Sequence, residues 1–162
     1  ILKLEKFEKK IILIGVSYAL LDFIDNFSLK TKNLVIIETG GMKGRRKEIT
    51  RKELHDKLKR GFNSNNIKSE YGMTELLSQA YSNTNGIFKS PPWLKILVRE
   101  INDPLYVKSH GKGALNFIDL ANVNSCSFIA SDDIGEVYRD SSFKVLGRLS
   151  DSEIRGCNLM FN

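Results

Sequence analysis

Residues Ser69–Gln79 read SEYGMTELLSQ and pack an aromatic, a glycine, a hydroxyl and a carboxylate into one short stretch. Tyr71-Gly72 has the character of a strand end turning into a loop. Met73–Ala80 then reads as a short helix with Thr74 and Glu75 in its first turn. A hydroxyl at a helix start accepts from free backbone N–H groups or donates to a phosphate oxygen held there. The carboxylate beside it repels phosphate directly but binds it well through Mg²⁺. Tyr71 offers a flat face on which a base can stack. The chemistry suggests a nucleotide with magnesium. An ordinary N-capped helix beside a core tyrosine fits the same letters.

Upstream of this stretch, Ile11–Ile14 is a continuous apolar run bounded by Gly15, as suits a strand buried on both faces. Ser17 stands where it would cap a helix to about Asn26, with Tyr18, Leu21 and Ile24 along one side. Leu34–Ile37 is a second buried run, ending in Thr39-Gly40-Gly41. Strand, helix and strand in this order predict a right-handed parallel unit. Thr50 and Glu53 then form a capping box, Ile49 and Leu54 a hydrophobic staple, and Gly61 an expected helix end. Leu54 and Leu58 give a narrow inward stripe, and a short strand follows near Ile67. Gly15–Ser17, Thr39–Gly41 and Tyr71–Glu75 each follow the carboxyl end of a proposed strand. Ligands collect at that edge of open α/β sheets, so the three loops should converge on one site.

From about Ser90 the texture changes. Pro91-Pro92 breaks the chain, and Trp93–Ile101, Leu105–Val107, Ala114–Leu120, Ser127–Ala130, Glu136–Tyr138 and Phe143–Leu146 follow as short apolar runs. Turn signals separate them at Asp103-Pro104, His110–Gly113, Asp132–Gly135 and Arg139–Ser142. The expected fold is α/β: part of a parallel βαβ sheet, followed by a smaller antiparallel β region. The expected division is an α/β nucleotide-binding subdomain over residues 1–88 and a β-rich subdomain over 89–162.

Composition narrows the class. A chain of 162 residues with 41% hydrophobic and 27% charged residues is ordinary for a globular protein and long enough to bury a core. No apolar run nears the roughly 18 residues of a membrane helix. The start, ILKLEKFEKK, lacks an initiator Met and a signal-peptide layout, and reads as a cut made inside a longer protein. Cys126 and Cys157 are too few and too far apart for a zinc site or disulfide framework, which suits a reducing cytoplasm. Much of the net charge of +6 lies in Lys43–Arg60. Without interleaved aromatics or a nucleic-acid motif, those bases read as a solvated helix face and not as a nucleic-acid reader.

Tyr71-Gly72-Met73-Thr74-Glu75 resembles the core motif of the adenylate-forming enzymes, the superfamily of acyl-CoA ligases, peptide-synthetase adenylation domains and firefly luciferase. The resemblance implies that Tyr71 lies against adenine, Thr74 contacts the α-phosphate and Glu75 holds the metal. Ser131-Asp132-Asp133 stands in the place of the family's Thr-Gly-Asp, which makes Asp133 the ribose carboxylate, although Asp132 departs from the family's Gly. A solvated aspartate turn is the other reading of these residues. Gly147-Arg148-Leu149-Ser150-Asp151 is similar to Gly-Arg-x-x-Asp, whose Arg reaches the nucleotide and whose Asp is a hinge. Gly40-Gly41 resembles the glycine pair that flanks adenine. The implied cofactors are ATP/AMP and Mg²⁺.

Glu38–Gly44 (ETGGMKG) and Ser152–Cys157 (SEIRGC) look like the acyl-protein synthetases of bacterial bioluminescence. Those enzymes activate a fatty acid as its adenylate and move it to a cysteine near their C-terminus, which makes Cys157 the candidate acceptor. A neighbouring Arg155 favours its thiolate, while an inert terminal residue is the other reading. Cys126 reads as buried core. His55, on an exposed helix, and His110, in a turn, show no catalytic partner. The family's phosphate-clamping loop is missing from these residues, and Gly40–Lys47 is no Walker-type substitute because Glu48 follows Lys47. The chain therefore resembles the C-terminal half of a ligase, inactive alone, with a sheet edge open to a second copy in a homodimer. The expected partners are a carboxylic, fatty acid and a thiol acceptor. An acyl-CoA ligase similar to phenylacetate-CoA ligase and a non-catalytic nucleotide-binding domain remain alternatives.

Overall fold

The computed structural model describes residues 9–29, 33–82 and 85–149. They fall into two compact units, which divide between Ser69 and Glu70.

In the first unit, β1 (Ile11–Val16), α1 (Ser17–Asn26), β2 (Leu34–Thr39), α2 (Arg51–Phe62) and β3 (Ile67–Tyr71) follow in order. β3 carries its last two residues into the second unit. β1 pairs in parallel with β2, from Ile11 opposite Leu34 to Val16 opposite Thr39. β2 pairs in parallel with β3, from Ile36 opposite Ile67 to Glu38 opposite Ser69. The core joins Ile11, Leu34, Ile36 and Ile67 of the strands to Leu20, Leu21, Leu54, Leu58 and Phe62 of the helices.

The expected burial of β1 on both faces is corrected. Ile11 is buried and Leu13 packs against the same core, but Ile12 and Ile14 on the opposite face are 57% and 56% exposed. The two helices contribute to the core on the Ile11 side, and period-two alternation sends every second side chain away from it.

α2 forms for the reasons its sequence gives. The Thr50 hydroxyl accepts from Glu53 N at 3.2 Å, while Glu53 Oε2 accepts from Thr50 N at 2.9 Å. The pair satisfies donors that the first helical turn leaves open. Ile49 packs against the core that holds Leu54. The helix nevertheless runs past Gly61 to Phe62, and Asn63 closes it in the left-handed region (φ 49°, ψ 42°). Asn tolerates that conformation, so glycine is not needed there. Gly61 serves a different purpose: a Cβ at this position would lie 2.6 Å from Ile24 Cβ of α1. The glycine permits the two helices to meet.

In the second unit, β4 (Ala80–Ser82), β5 (Ile87–Lys89), β6 (Leu94–Arg99), β7 (Val107–Lys108), β8 (Gly111–Asp119), β9 (Phe128–Val137) and β10 (Phe143–Arg148) pair antiparallel, in the order β4-β5-β10-β9-β8-β6-β7. The mixed α/β class, parallel first and antiparallel after, is as the sequence predicts. Two turn expectations are corrected: residues 111–113 of the expected His110–Gly113 turn already belong to β8. Asp132–Gly135 is no turn but the middle of β9, where the register shifts on both sides, between Ala114 and Asn116 and between Val145 and Gly147. Gly135 is required by crowding, since a Cβ there would sit 2.7 Å from the Lys144 carbonyl oxygen. The hairpin of β4 and β5 was not expected, although Asn85 and Gly86 before β5 both take positive φ, the signature of a tight hairpin turn.

Gly61→Ala tests the helix crossing. Helix propensity alone predicts stabilisation by about 1 kcal/mol. Overpacking against Ile24 predicts instead a loss of about 1–3 kcal/mol. Denaturant unfolding should show the loss, and a stabilised variant would contradict the crossing.

Candidate functional site

Two of the three expected loops meet within the first unit. Val16 pairs with Thr39 at the ends of β1 and β2, and Ser17 Oγ donates to the Thr39 carbonyl oxygen at 3.1 Å. Ser17 therefore does not cap α1, whose N-cap residue is Val16 with no side-chain bond. Its hydroxyl also reaches Glu38 Oε2 at 2.8 Å. Gly40 and Gly41 follow with φ of 70° and 66°, a conformation that glycine adopts without Cβ strain.

His55 corrects the reading of an exposed histidine without partners. It is 8% exposed, and its Nε2 lies 3.0 Å from Ser69 Oγ and 3.4 Å from Glu38 Oε1. Burial opposes ionisation of Glu38. Hydrogen bonds from His55, Ser69 and Ser17 and the charge of Arg51 outweigh it, holding the carboxyl below its ordinary range. The missed signal was the spacing of His55, Leu58 and Phe62, all buried on one face of α2.

The third loop lies in the second unit, and its expected helix is absent. Leu76 N donates to Met73 O in a single turn, and the next amides leave the helical path. Leu77 N and Ser78 N donate to Asp119 Oδ2 at 3.0 and 2.9 Å, and Ser78 Oγ to Asp119 Oδ1 at 2.7 Å. A buried carboxylate competes successfully for amides that a short helix would leave half-satisfied. Asn122 Nδ2 donates to the Glu75 carbonyl oxygen at 2.8 Å, and Trp93 Nε1 to Ser78 Oγ at 3.0 Å. The loop is thus fixed by side chains that precede β6 or border β8. Thr74 and Glu75 stand exposed on it, with Gly72 half-buried.

Tyr71 is core, with 2% of its surface exposed. Its ring lies within 5.8 Å, centroid to centroid, of Phe88, Phe117 and Phe143. That burial leaves no open face for a base. The hydroxyl instead donates to Asp133 Oδ2 at 2.6 Å. Asp133 is itself buried, and its backbone N–H donates to Ser131 Oγ at 3.2 Å. Arg148, at the end of β10, brings Nε to 3.8 Å from Asp133 Oδ1 and Nη2 to 3.9 Å from Asp132 Oδ2. Among the described residues, Arg148 Nε is buried and has no hydrogen-bond partner. An orphaned guanidinium N–H beside a buried carboxylate fits an anionic, hydroxyl-bearing ligand such as a nucleotide. The structure therefore brings Tyr71, Asp133 and Arg148 together. Cys126 is exposed rather than core, with Sγ bonded to Phe128 O at 3.3 Å. Asp151, Arg155 and Cys157 lie outside the described residues.

The family model described as acyl-protein synthetase, LuxE, matches residues 1–162. The chain belongs to this family. No curated protein sequence matches this acyl-protein synthetase chain. Several solved structures share its fold. Coronafacic acid ligase from Pectobacterium brasiliense superposes with a TM-score of 0.59 at 19% identity, over 85% of this chain and 29% of the ligase. A luciferase-like enzyme from the nonluminescent Zophobas morio mealworm gives 0.60 at 15%, over 91% and 40%. O-succinylbenzoate coenzyme A synthetase from Bacillus subtilis, in complex with ATP and magnesium ion, gives 0.58 at 17%, over 88% and 32%. The chain spans between 29% and 40% of the length of these neighbours.

The Asp119 clamp makes a pH-dependent prediction. Burial opposes its ionisation, but the bonds from Ser78, Ala121 and Leu77 outweigh it and hold the carboxyl below its ordinary value. A carboxyl depressed by folding contributes its full stability above the unfolded value, about 3.9, and loses it as pH falls through the folded value. Asp119→Asn should cost about 1–3 kcal/mol at neutral pH and flatten part of the acid limb of melting temperature against pH. An unchanged acid limb would show that the clamp contributes nothing.

Proposed function

We propose that the full-length protein is an ATP-dependent ligase that activates a carboxylic acid, a long-chain fatty acid in the first instance, and passes the acyl group to Cys157. The single observation that carries the nucleotide part is the buried arrangement of Tyr71 hydroxyl, Asp133 carboxylate and unpartnered Arg148 Nε. The family match over residues 1–162 supports the acyl-transfer part.

In this reading Asp133 accepts from the ribose hydroxyls, as a carboxylate with about four lone-pair sites can. Arg148 donates its free Nε–H to the nucleotide. Gly40 and Gly41 flank adenine with backbone alone, and Gly72 lets the chain pass close beside it. Thr74 donates to the α-phosphate from the exposed loop that Asp119 holds. Among the described residues no group of three or more His, Cys, Asp and Glu side chains could hold a metal ion. Glu75 would hold Mg²⁺, a cation that needs only one or two protein carboxylates. ATP supplies the leaving pyrophosphate, and a magnesium ion at Glu75 would supply positive charge against the charge that builds up during transfer.

The substrate carboxylate oxygen attacks the α-phosphorus, and the bond to the β-phosphate oxygen breaks. Deprotonated Cys157 then attacks the acyl carbon, forming a thioester as AMP leaves. No helix among the described residues is long and apolar enough to cross a membrane. We place the reaction in the cytoplasm, as the two widely spaced cysteines suggest.

Acylation of the full-length protein decides between the acceptors. Incubation with ATP, Mg²⁺ and a long-chain acid should leave a hydroxylamine-sensitive thioester on Cys157. Cys157→Ser should form the adenylate yet lose that adduct. Ready acylation of added CoA, with an unmodified Cys157 peptide in the mass spectrum, would transfer the assignment to a CoA ligase. Glu75→Ala should lower ATP–pyrophosphate exchange by on the order of a hundredfold. Exchange at the unmodified rate would remove Glu75 from the mechanism.

A further inference from the structure

Ser17, Glu38, His55 and Ser69 form a buried polar cluster at the carboxyl ends of β1 and β2, next to β3 and α2. Their exposures are 0%, 7%, 8% and 1%. The composition invites comparison with a nucleophile–base–acid triad, but the geometry excludes one. His55 presents the same atom, Nε2, to both Ser69 and Glu38, so the ring does not relay a proton between two partners. Neither serine is open to a substrate atom. An apolar residue at position 38 would avoid the cost of desolvating a carboxylate. The cluster is explained by what it holds.

What it holds is the start of the glycine loop. Ser17 has one hydroxyl proton, shared between Glu38 Oε2 at 2.8 Å and the Thr39 carbonyl oxygen at 3.1 Å. Beyond Thr39, residues 40, 41, 43 and 44 all take positive φ, from 50° to 70°. Glycines reach that region and others with little penalty, so their sequence alone does not hold the loop in one conformation. The Thr39 carbonyl is the point where the fixed strand passes into this permissive backbone. Glu38 lies opposite Gly15 in β1 and opposite Ser69 in β3. One carboxylate therefore links Ser17 at the start of α1, which holds the loop's anchor, to His55 of α2 and Ser69 of β3.

We propose that Ser17, Glu38, His55 and Ser69 are positioning residues that fix the Thr39-Gly40-Gly41 loop for nucleotide binding, with Ser17 as the direct link to the loop. The assignment rests on the reading above, in which Gly40 and Gly41 flank adenine. It adds residues that touch neither substrate nor metal. Glu38 acts as the acceptor that orients the Ser17 and Ser69 hydroxyls, and His55 completes its shell.

The test uses the full-length protein, with ATP affinity from calorimetry, steady-state exchange kinetics and melting temperature. Ser17→Ala should weaken ATP binding about tenfold, the worth of one well-placed hydrogen bond. The KM for ATP should rise in parallel, while kcat at saturating ATP and the KM for the acid stay within about twofold of the unmodified protein. Glu38→Gln should behave alike. His55→Gln, which keeps a nitrogen near the Nε2 position, should retain most ATP affinity where His55→Leu loses it. These two variants keep the question open to decision should Ser17→Ala not fold. Unchanged ATP affinity in folded Ser17→Ala and Glu38→Gln would overturn the proposal while leaving the nucleotide reading intact. A fall in kcat and melting temperature at constant KM would also overturn it, because it marks a purely structural role. Failure of the unmodified protein to bind ATP would overturn the nucleotide reading itself, and this proposal with it.

Discussion

The hydrogen bond from Tyr71 Oη to Asp133 Oδ2 is the interaction around which the candidate site of the second unit is built. At 2.6 Å it is short and charge-assisted, and both residues are nearly inaccessible to water. A buried carboxylate without a donor is costly, and Tyr71 and the nearby Arg148 help to offset the charge of Asp133 in the middle of β9. The Tyr71 ring is in turn locked by three phenylalanines from β5, β8 and β10. The end of β3, the bulged strand β9 and the end of β10 are thereby fixed around one carboxylate. Three stretches that the sequence offers as separate nucleotide signals come together through core packing.

Some of these features were legible in the sequence. Local signals were: the capping box at Thr50 and Glu53 closes within three residues of chain, and the apolar runs of β1 and β2 declare themselves. Long-range competition was not legible. Met73–Ala80 has the composition of a short helix, yet Asp119, 42 residues beyond Leu77, captures the amides that would have continued it. β9 was cut at Asp132–Gly135 because Asp and Gly mark turns, whereas here they accommodate register shifts and a close strand contact. Tyr71 reads as a stacking surface from its type, whereas the surrounding phenylalanines bury its ring and its hydroxyl donates to Asp133.

Other misreadings had signals available. Asn85-Gly86 is a strong hairpin dipeptide and marks the entry to β5. His55 falls on the buried face with Leu58 and Phe62, a spacing that counting only Leu54 and Leu58 conceals. A polar residue on an apolar stripe requires a partner. Glu38 and Ser69, opposite one another in paired strands, supply it.

The central claim is that Asp133 and Arg148 form part of a nucleotide site whose carboxylate reads the ribose. The most direct measurement compares the affinity of the full-length protein for AMP and for its 2′,3′-dideoxy analogue, before and after Asp133→Asn. The account predicts at least about tenfold preference for AMP in the unmodified protein, the loss expected when a buried acceptor goes unmatched. It predicts that the preference largely disappears in the variant. Equal affinity for both ligands in the unmodified protein, or full discrimination retained by Asp133→Asn, would contradict it.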